Sequence, residues 1–269
     1  MAPTGTPAGG GTVKYSWNGD YPYLLWNLIM KDFKVRYRNM SLGVFWSLLN
    51  PLVMLGILWF VFTNIFTNVY IKNFPVYFLS GLVSLNLFTL CGLTGTLALV
   101  DSSQLVKRQM VPREIIPISG VLSQGLHVVI QMLLLLGFVV GSGTGVNIYW
   151  LLLPVLWGIG IVFVSGFALV FSAVNVYVRD TRYIVESLCT LMFWLVPIVY
   201  PFSFVPEHLR GLFLLNPITA LAVASRSILI DATLPDAEVV VKLVLVSAGF
   251  FVTGLFVFRG LRARFYDYL

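Results

Sequence analysis

Charged residues are scarce in this sequence. Asp, Glu, Lys and Arg make up 10% of the 269 residues, whereas soluble domains carry roughly 25%. Hydrophobic residues make up 58%, and the mean hydropathy is +0.91. An ordinary soluble globular protein is therefore excluded. Because apolar stretches recur along almost the whole chain, the composition predicts one all-α integral membrane domain over residues 21–269.

The sequence also lacks the motifs of most enzymes and metal sites. It has no GxxxxGK[S/T] phosphate loop, and its nearest glycine run, at 141–145, lacks the lysine. It has no HExxH motif, no paired-cysteine spacing, and only His127 and His208 for acid–base work. Cys91 and Cys189 lie within apolar runs, where small buried hydrophobes are expected. We therefore expect no catalysis, cofactor or metal in this chain.

Six segments approach the roughly 20 apolar residues that cross a bilayer. The expected spans are about 51–70, 74–100, 118–140, 148–175, 184–204 and 238–258. The fifth is interrupted by Glu186, Pro197 and Pro201, and proline is tolerated there if neighbours or water satisfy the freed carbonyls. Glu186 follows Arg182 by four residues, which predicts a local ion pair.

The basic residues are unevenly distributed. Thirteen of the 17 lie before the first span, after the last span or in loops on one side: Lys14, Lys31, Lys34, Arg36, Arg38, Lys107, Arg108, Arg113, Arg179, Arg182, Arg259, Arg262 and Arg264. Lys72, Arg210, Arg226 and Lys242 lie on or near the other side. The positive-inside rule places the thirteen, and both termini, in the cytoplasm. The net charge of +6 is thus mainly a topology signal, and no nucleic-acid partner is expected.

An amphipathic pattern precedes the first span, at residues 22–40. One helical face carries Leu25, Trp26, Ile29, Phe33, Tyr37 and Met40, and the other carries Asn27, Lys31, Lys34 and Arg38. This predicts a helix that lies along the cytoplasmic membrane surface or packs on another protein. Residues 1–20 are rich in Gly, Pro and Thr, which predicts a disordered tail rather than a signal peptide.

Residues 205–236 are apolar but broken. Asn216-Pro217 interrupts them, and they carry Arg210 and Arg226, so each piece is too short to span. On the extracytoplasmic side, between the fifth and sixth spans, this predicts a re-entrant hairpin. Non-helical backbone at that depth must be shielded by protein or line a wet cavity, which places the hairpin near an exit path.

Polar and aromatic side chains within the spans have two interpretations each. Ser123, Gln124, His127 and Gln131 share or flank one helical face, which predicts either a wet, substrate-facing stripe or hydrogen bonds between helices. Aromatic rings form lipid-facing and interfacial belts or stack on sugars along a channel. The candidates for the channel are Trp59, Phe62, Tyr77, Phe88, Phe193 and Trp194.

Four stretches of the chain carry distinctive motifs. They are FKVRYRNMSLGVFWSLLNP at 33–51, LVKRQMVPREIIP at 105–117, NVYVRDTR at 175–182, and PIVY at 197–200 followed by Asn216-Pro217 and Arg226. In order and spacing they resemble the ABC-2 type permeases that export O-antigen, capsule or teichoic acid polymers. The resemblance covers residues 22–269.

This resemblance implies a homodimer of six-span subunits in the bacterial cytoplasmic membrane. Two copies of a separate cytoplasmic ATPase, which bind ATP and Mg, would serve it. The helix at 22–40 and the loops at 101–117 and 176–183 would contact that ATPase, through Lys31, Lys34, Arg38, Lys107, Arg108, Arg113, Arg179 and Asp180. Arg36 and Arg38 are candidate contacts for the diphosphate of an undecaprenyl-type lipid-linked polysaccharide, with a role as orientation charges as the alternative.

Other functions stay open beside O-antigen export, the preferred one. A small-molecule or drug exporter of the wider ABC-2 family would have no need of the motif at 33–51. A secondary carrier or channel should show internal repeats or intramembrane charges. A membrane glycosyltransferase should show an acidic cluster, and the sequence offers no suitable one.

Overall fold

The computed structural model describes residues 19–38, 45–65, 71–108, 111–143 and 145–269. The predicted tail at 1–20 lies almost wholly outside these ranges. The described residues form eleven α-helices joined by short turns. They are α1 (Tyr21–Tyr37), α2 (Phe45–Asn64), α3 (Phe74–Asp101), α4 (Ser103–Arg108), α5 (Ile115–Gly141), α6 (Leu153–Tyr177), α7 (Thr181–Leu195), α8 (Glu207–Phe213), α9 (Pro217–Leu229), α10 (Ala237–Leu261) and α11 (Phe265–Tyr268).

Five of these helices are long and apolar enough to cross a bilayer. They are α2, α3, α5, α6 with the 3₁₀ turn before it, and α10 with the turn after it. Four of them match predicted segments closely, while α2 begins six residues before the predicted span at 51–70, because Pro51 is accommodated inside the helix rather than starting it. The all-α, multi-pass membrane fold is confirmed. A sixth crossing by a single long helix is not found among the described residues.

The segment predicted as the fifth span, at 184–204, is shorter as a helix than expected. Helix α7 has 15 residues and ends at Leu195, where Val196 turns to extended backbone (φ −86°, ψ 129°). The cause is Pro197, whose ring disfavours the α conformation at the preceding residue. At the start of α7, Arg182 Nε lies 2.8 Å from Glu186 Oε1, which confirms the predicted ion pair.

Helices α8 and α9 form a bent pair at the predicted break. Their axes meet at 106°, and Asn216 caps α9 by accepting a hydrogen bond from the Ile218 amide at 3.1 Å. Pro217 occupies the first turn of α9, where its missing N–H costs nothing. The sequence therefore located the break, while the depth of this hairpin in a membrane stays a prediction.

Helices α3 and α6 form the centre of the bundle. Helix α3 packs on α5 and α6, and α6 packs on α10, so the apolar core lies between these four. Helix α2 is peripheral, and its Val53, Ile57 and Phe60 are more than half exposed. Such apolar surface is stable only against lipid or another protein chain.

Small residues allow α6 and α10 to approach closely. A Cβ added at Gly166 would lie 2.6 Å from the backbone nitrogen of Phe251. One added at Gly254 would lie 3.1 Å from the Gly166 Cα and closer still to its carbonyl oxygen. Because lipid tails are as apolar as the side chains, membrane helices associate largely through such close packing.

Candidate functional site

A polar cleft opens between α1, α3 and α5, at the end of the bundle where the basic loops lie. Its volume is about 470 Å³. Lys31, Asp32 and Arg36 contribute to it from α1, and Asp101 closes it at the end of α3. Partial burial raises the pKa of Asp32, and the charges of Lys31 and Arg36 oppose that rise. The cleft thus presents both signs of charge at one end of an apolar bundle.

Arg36 reaches across this cleft to α5. With the Gln124 amide oriented to match its donors, its oxygen accepts from Arg36 Nη2 at 2.6 Å, Nη1 at 2.8 Å and Thr94 Oγ1 at 3.0 Å. Gln124 is buried, so the guanidinium is held by a fixed acceptor that carries no charge. The Arg36 guanidinium is therefore fixed in the cleft by an uncharged acceptor.

A second polar cluster lies deeper along the same face of α5. The Ser47 hydroxyl is bonded to His127 Nδ1 at 2.8 Å. Asn86 Nδ2 donates to Gln131 Oε1 at 2.8 Å, and Gln131 Nε2 donates to the Ser47 carbonyl at 3.3 Å. These bonds join α2, α3 and α5. Of the two interpretations of this polar stripe, the structure shows hydrogen bonding between helices.

The basic side chains on and next to α1 are all exposed, including Lys31 and Arg36 at the cleft. Lys31, Lys34 and Arg38 are exposed, and Lys31 Nζ lies 4.0 Å from Asp32 Oδ1. On the predicted lipid-facing side of this helix, Ile29 is buried and Trp26 is 59% exposed. The Tyr37 side chain and Met40 lie outside the described residues. Helix α1 is therefore confirmed, while its position on a membrane or on another protein stays a prediction.

The predicted loop residues gather at this same end of the bundle. Lys107 is exposed on α4. Arg113 donates a hydrogen bond to the carbonyl oxygen of Arg262 at 2.6 Å. Arg179 and Asp180 are exposed in the turn before α7. The Arg108 side chain lies outside the described residues. The structure thus brings the two basic loops, distant in sequence, onto one surface.

At the opposite end, Arg226 of the hairpin is buried against α3. Its guanidinium lies 3.5 Å from the centre of the Tyr77 ring. It donates to Ser80 Oγ at 3.1 Å and to the Tyr77 carbonyl at 3.0 Å. Gly81 makes this possible, because a Cβ there would lie 2.5 Å from Arg226 Nη2. The Tyr77 hydroxyl in turn donates to the Tyr200 carbonyl at 2.8 Å. The Arg226–Tyr77 pair therefore connects α3, α9 and the segment after α7.

Replacing Arg226 with methionine is expected to destabilise the hairpin by about 2 kcal/mol, since it removes two interhelical hydrogen bonds and a cation–π contact. Thermal unfolding of the purified protein in detergent would measure the change. Arg210→Met is the matched control, because Arg210 bonds to nearby carbonyls of Val205 and Ser203. Equal loss in both variants would contradict the assigned role of Arg226.

The six candidate channel aromatics fall into separate places. Trp59 is 55% exposed on α2, and Phe62 packs on Phe74. Tyr77 lies under Arg226, and Phe193 meets Trp194 edge to face at the end of α7. Phe88 is buried at the centre of the bundle. It borders an apolar cavity of about 230 Å³ lined also by Phe163, Phe167, Phe171, Leu188, Met192, Asn216, Ile218 and Phe250. Lining of a channel by these rings stays a prediction.

Comparison with known protein families matches residues 23–230 to the ABC-2 type transporter family. The chain belongs to this family. The resemblance identified from the four sequence motifs is therefore confirmed. ABC-2 membrane proteins are transport components, so the expectation of a non-catalytic membrane subunit agrees with the family.

Several curated relatives of this ABC-2 subunit align over most of its length. An O-antigen export system permease protein, RfbA, of Klebsiella pneumoniae is 29% identical over 96% of this chain and 100% of its own. RfbA of Myxococcus xanthus is 30% identical over 91% of this chain and 95% of its own. The polysialic acid transport protein KpsM of Escherichia coli is 24% identical over 74% and 78%.

Some residues of these sites were missed in the sequence. Asn86 and Thr94 sit in the apolar run of α3, and only their polarity within a predicted span marked them. Across the basic end of the bundle, Arg262 donates to Glu114 and Tyr266 donates to the Lys107 carbonyl. Their separation of about 150 residues leaves no local signal for such a contact.

Proposed function

We propose that this chain is the membrane subunit of an ABC transporter that exports a lipid-linked polysaccharide, an O-antigen. The observation that carries the proposal is the near full-length alignment with permeases named for O-antigen export. The more distant likeness to KpsM extends the class to a transporter named for polysialic acid. In both cases the cargo is a sugar chain, which agrees with a bundle that is poor in intramembrane charge.

The proposed assembly is a homodimer in the bacterial cytoplasmic membrane. The basic end of the bundle faces the cytoplasm by the positive-inside rule, and there it meets two copies of an ATPase that holds ATP and Mg. The exposed apolar face of α2 supports a second subunit or lipid beside it. The α8–α9 hairpin then lies at the extracytoplasmic exit, fastened by Arg226 to Tyr77.

The polar cleft is the proposed contact for the lipid carrier. Arg36 presents its guanidinium there, oriented by Gln124 and Thr94, and a planar guanidinium binds phosphate oxygens in a bidentate manner. The cleft lies beside α1 at the basic end of the bundle, which is the proposed cytoplasmic end. A diphosphate head group would sit there while its polyprenyl tail stays in lipid. Arg38, one residue beyond α1, is exposed and is the second candidate contact.

The proposed transport step uses the two ends together. Closure of the ATPase dimer on ATP pushes on α1 and on the basic loops, which shifts the two permease subunits and opens a path between them. Sugars then pass outward along aromatic rings, whose faces bind sugar C–H groups without charge. The hairpin forms the outer limit of that path.

Deletion of the gene in its host and restoration from a plasmid tests the proposal. Surface polysaccharide, followed on gels, should vanish on deletion, while radiolabelled lipid-linked chains accumulate inside the cell. Restoration should reverse both, and the label identifies the sugar. Unchanged surface polymer in the deletion strain would refute polysaccharide export and favour a small-molecule exporter.

A further inference from the structure

Residues 262–269 form a small structure of their own at the basic end of the bundle. It follows directly from α10 and consists of the turn Arg262–Arg264 and helix α11. Phe265 anchors it, with no exposed surface. The Phe265 ring packs edge to face on Phe258 at 5.4 Å and against Tyr177 at 6.0 Å between centroids. The segment is therefore seated by apolar packing rather than by its charges.

This segment contacts the first basic loop, residues 101–117, at four points. Arg262 Nη1 lies 2.6 Å from Glu114 Oε1, and the Arg262 carbonyl accepts from Arg113 Nη1 at 2.6 Å. The Tyr266 hydroxyl donates to the carbonyl oxygen of Lys107. The Arg113 guanidinium also lies 5.6 Å from the centre of the Tyr266 ring.

The same segment contacts the second basic loop, residues 176–183. Arg179 Nη2 donates to the Tyr268 carbonyl at 3.3 Å, and the Tyr177 ring lies 4.8 Å from that of Tyr268. The Tyr177 hydroxyl donates to the carbonyl of Leu261, the residue before the segment, at 2.6 Å. Eight residues thus bond to two loops that are about 70 residues apart in the chain.

Basic side chains outnumber acidic ones among the charges exposed around this junction. Lys107, Arg179, Arg182 and Arg264 are exposed beside Asp101, Asp180 and Asp267, and Tyr266 and Tyr268 are about half exposed. A surface of this composition is complementary to a protein face that carries carboxylates, with the tyrosines supplying apolar contact area.

We propose that residues 262–269 form a clasp that holds the two basic loops in one rigid docking surface for the ATPase. This inference rests on the proposed function, which supplies the partner, and it adds an element outside the two loops predicted to contact it. A surface that is ordered before binding loses less entropy when the partner docks. Because the clasp joins the two loops, a displacement of either loop by the ATPase would move both.

The test uses the complete permease purified with its ATPase. The double variant R262Q/Y266F removes the ion pair to Glu114 and the hydroxyl bond to Lys107 but keeps the Phe265 anchor. R264Q/Y268F makes the same chemical changes at two exposed side chains of the same segment. Two quantities are measured: the ATPase retained after washing in lipid nanodiscs, and amide hydrogen exchange in residues 103–114 and 178–182 of the permease.

R262Q/Y266F is expected to retain about tenfold less ATPase and to exchange faster in both loops, whereas R264Q/Y268F, which changes two side chains of the docking surface but leaves every loop contact named above in place, keeps wild-type exchange in both loops. Wild-type exchange and retention in R262Q/Y266F would overturn the clasp while leaving the proposed function intact. Faster exchange with unchanged retention would overturn its docking role. Failure of the wild-type permease to retain the ATPase would instead overturn the proposed function and this inference with it.

Discussion

Replacing Gly254 with leucine is expected to abolish the folded protein in the membrane. Helices α6 and α10 touch backbone to backbone at Gly166 and Gly254, and a Cβ at Gly254 already enters the space of the Gly166 carbonyl. A leucine there forces the two helices apart by the thickness of a side chain. The cost exceeds the roughly 1–3 kcal/mol typical of overpacking a core, because the atoms that must move belong to the backbone.

Gly249 offers a matched control on the same helix. It is exposed, and nothing lies within 4 Å of an added Cβ, so Gly249→Leu should accumulate normally. Both variants would be compared by their amount in isolated membranes and by size-exclusion chromatography after extraction in detergent. A monodisperse Gly254→Leu protein at wild-type levels would show that this helix pair is not packed as described.

Replacing Arg36 with alanine is expected to reduce polymer export by roughly 10- to 100-fold. Hydrogen bonds to a charged group contribute about 1.5–3 kcal/mol, and each 1.4 kcal/mol is a factor of ten in affinity. The initial rate at which labelled polymer reaches the cell surface would measure the effect, with limiting lipid-linked substrate. Arg36→Lys keeps the charge but loses the planar fork, so it should export at an intermediate rate.

Arg38→Ala is the informative comparison for Arg36. Arg38 carries the same charge next to the same helix and is exposed like Arg36, but the structure holds the Arg36 guanidinium against the buried Gln124. We therefore expect a clearly smaller loss for Arg38→Ala. Equal losses would mean that general positive charge matters rather than a built site, and wild-type export by Arg36→Ala would remove Arg36 from the carrier contact.

Features that depend on neighbouring residues were predictable from the sequence. The five long helices follow from the length of the apolar runs, and the bend between α8 and α9 follows from Asn216-Pro217. The Arg182–Glu186 pair follows from its spacing on a helix. Each of these is decided by local backbone geometry or by transfer of the segment into lipid, which one stretch of sequence specifies.

Features that depend on tertiary packing were not predictable. Arg226 looked like an isolated charge in an apolar segment, and its stacking on Tyr77 depends on the space that Gly81 leaves in α3. Arg36 looked like one of several basic residues on α1, and only the position of α5 separates it from Arg38. The end of α7 at Leu195 was also missed, because Pro197 was judged tolerable inside a span.

The shortness of α7 has a consequence for the lipid around it. At 1.5 Å per residue, its 15 residues measure about 22 Å, against a hydrocarbon thickness of roughly 30 Å. Lipids next to a short span thin to match it, and the carbonyls beyond Leu195 draw water inward unless protein satisfies them, as Tyr77 does for Tyr200. In the proposed six-span arrangement, the bilayer would therefore be a thinner barrier beside α7 than beside α3, whose 28 residues measure about 42 Å. A hydrophilic polymer exported along α7 would have a thinner hydrocarbon layer to cross.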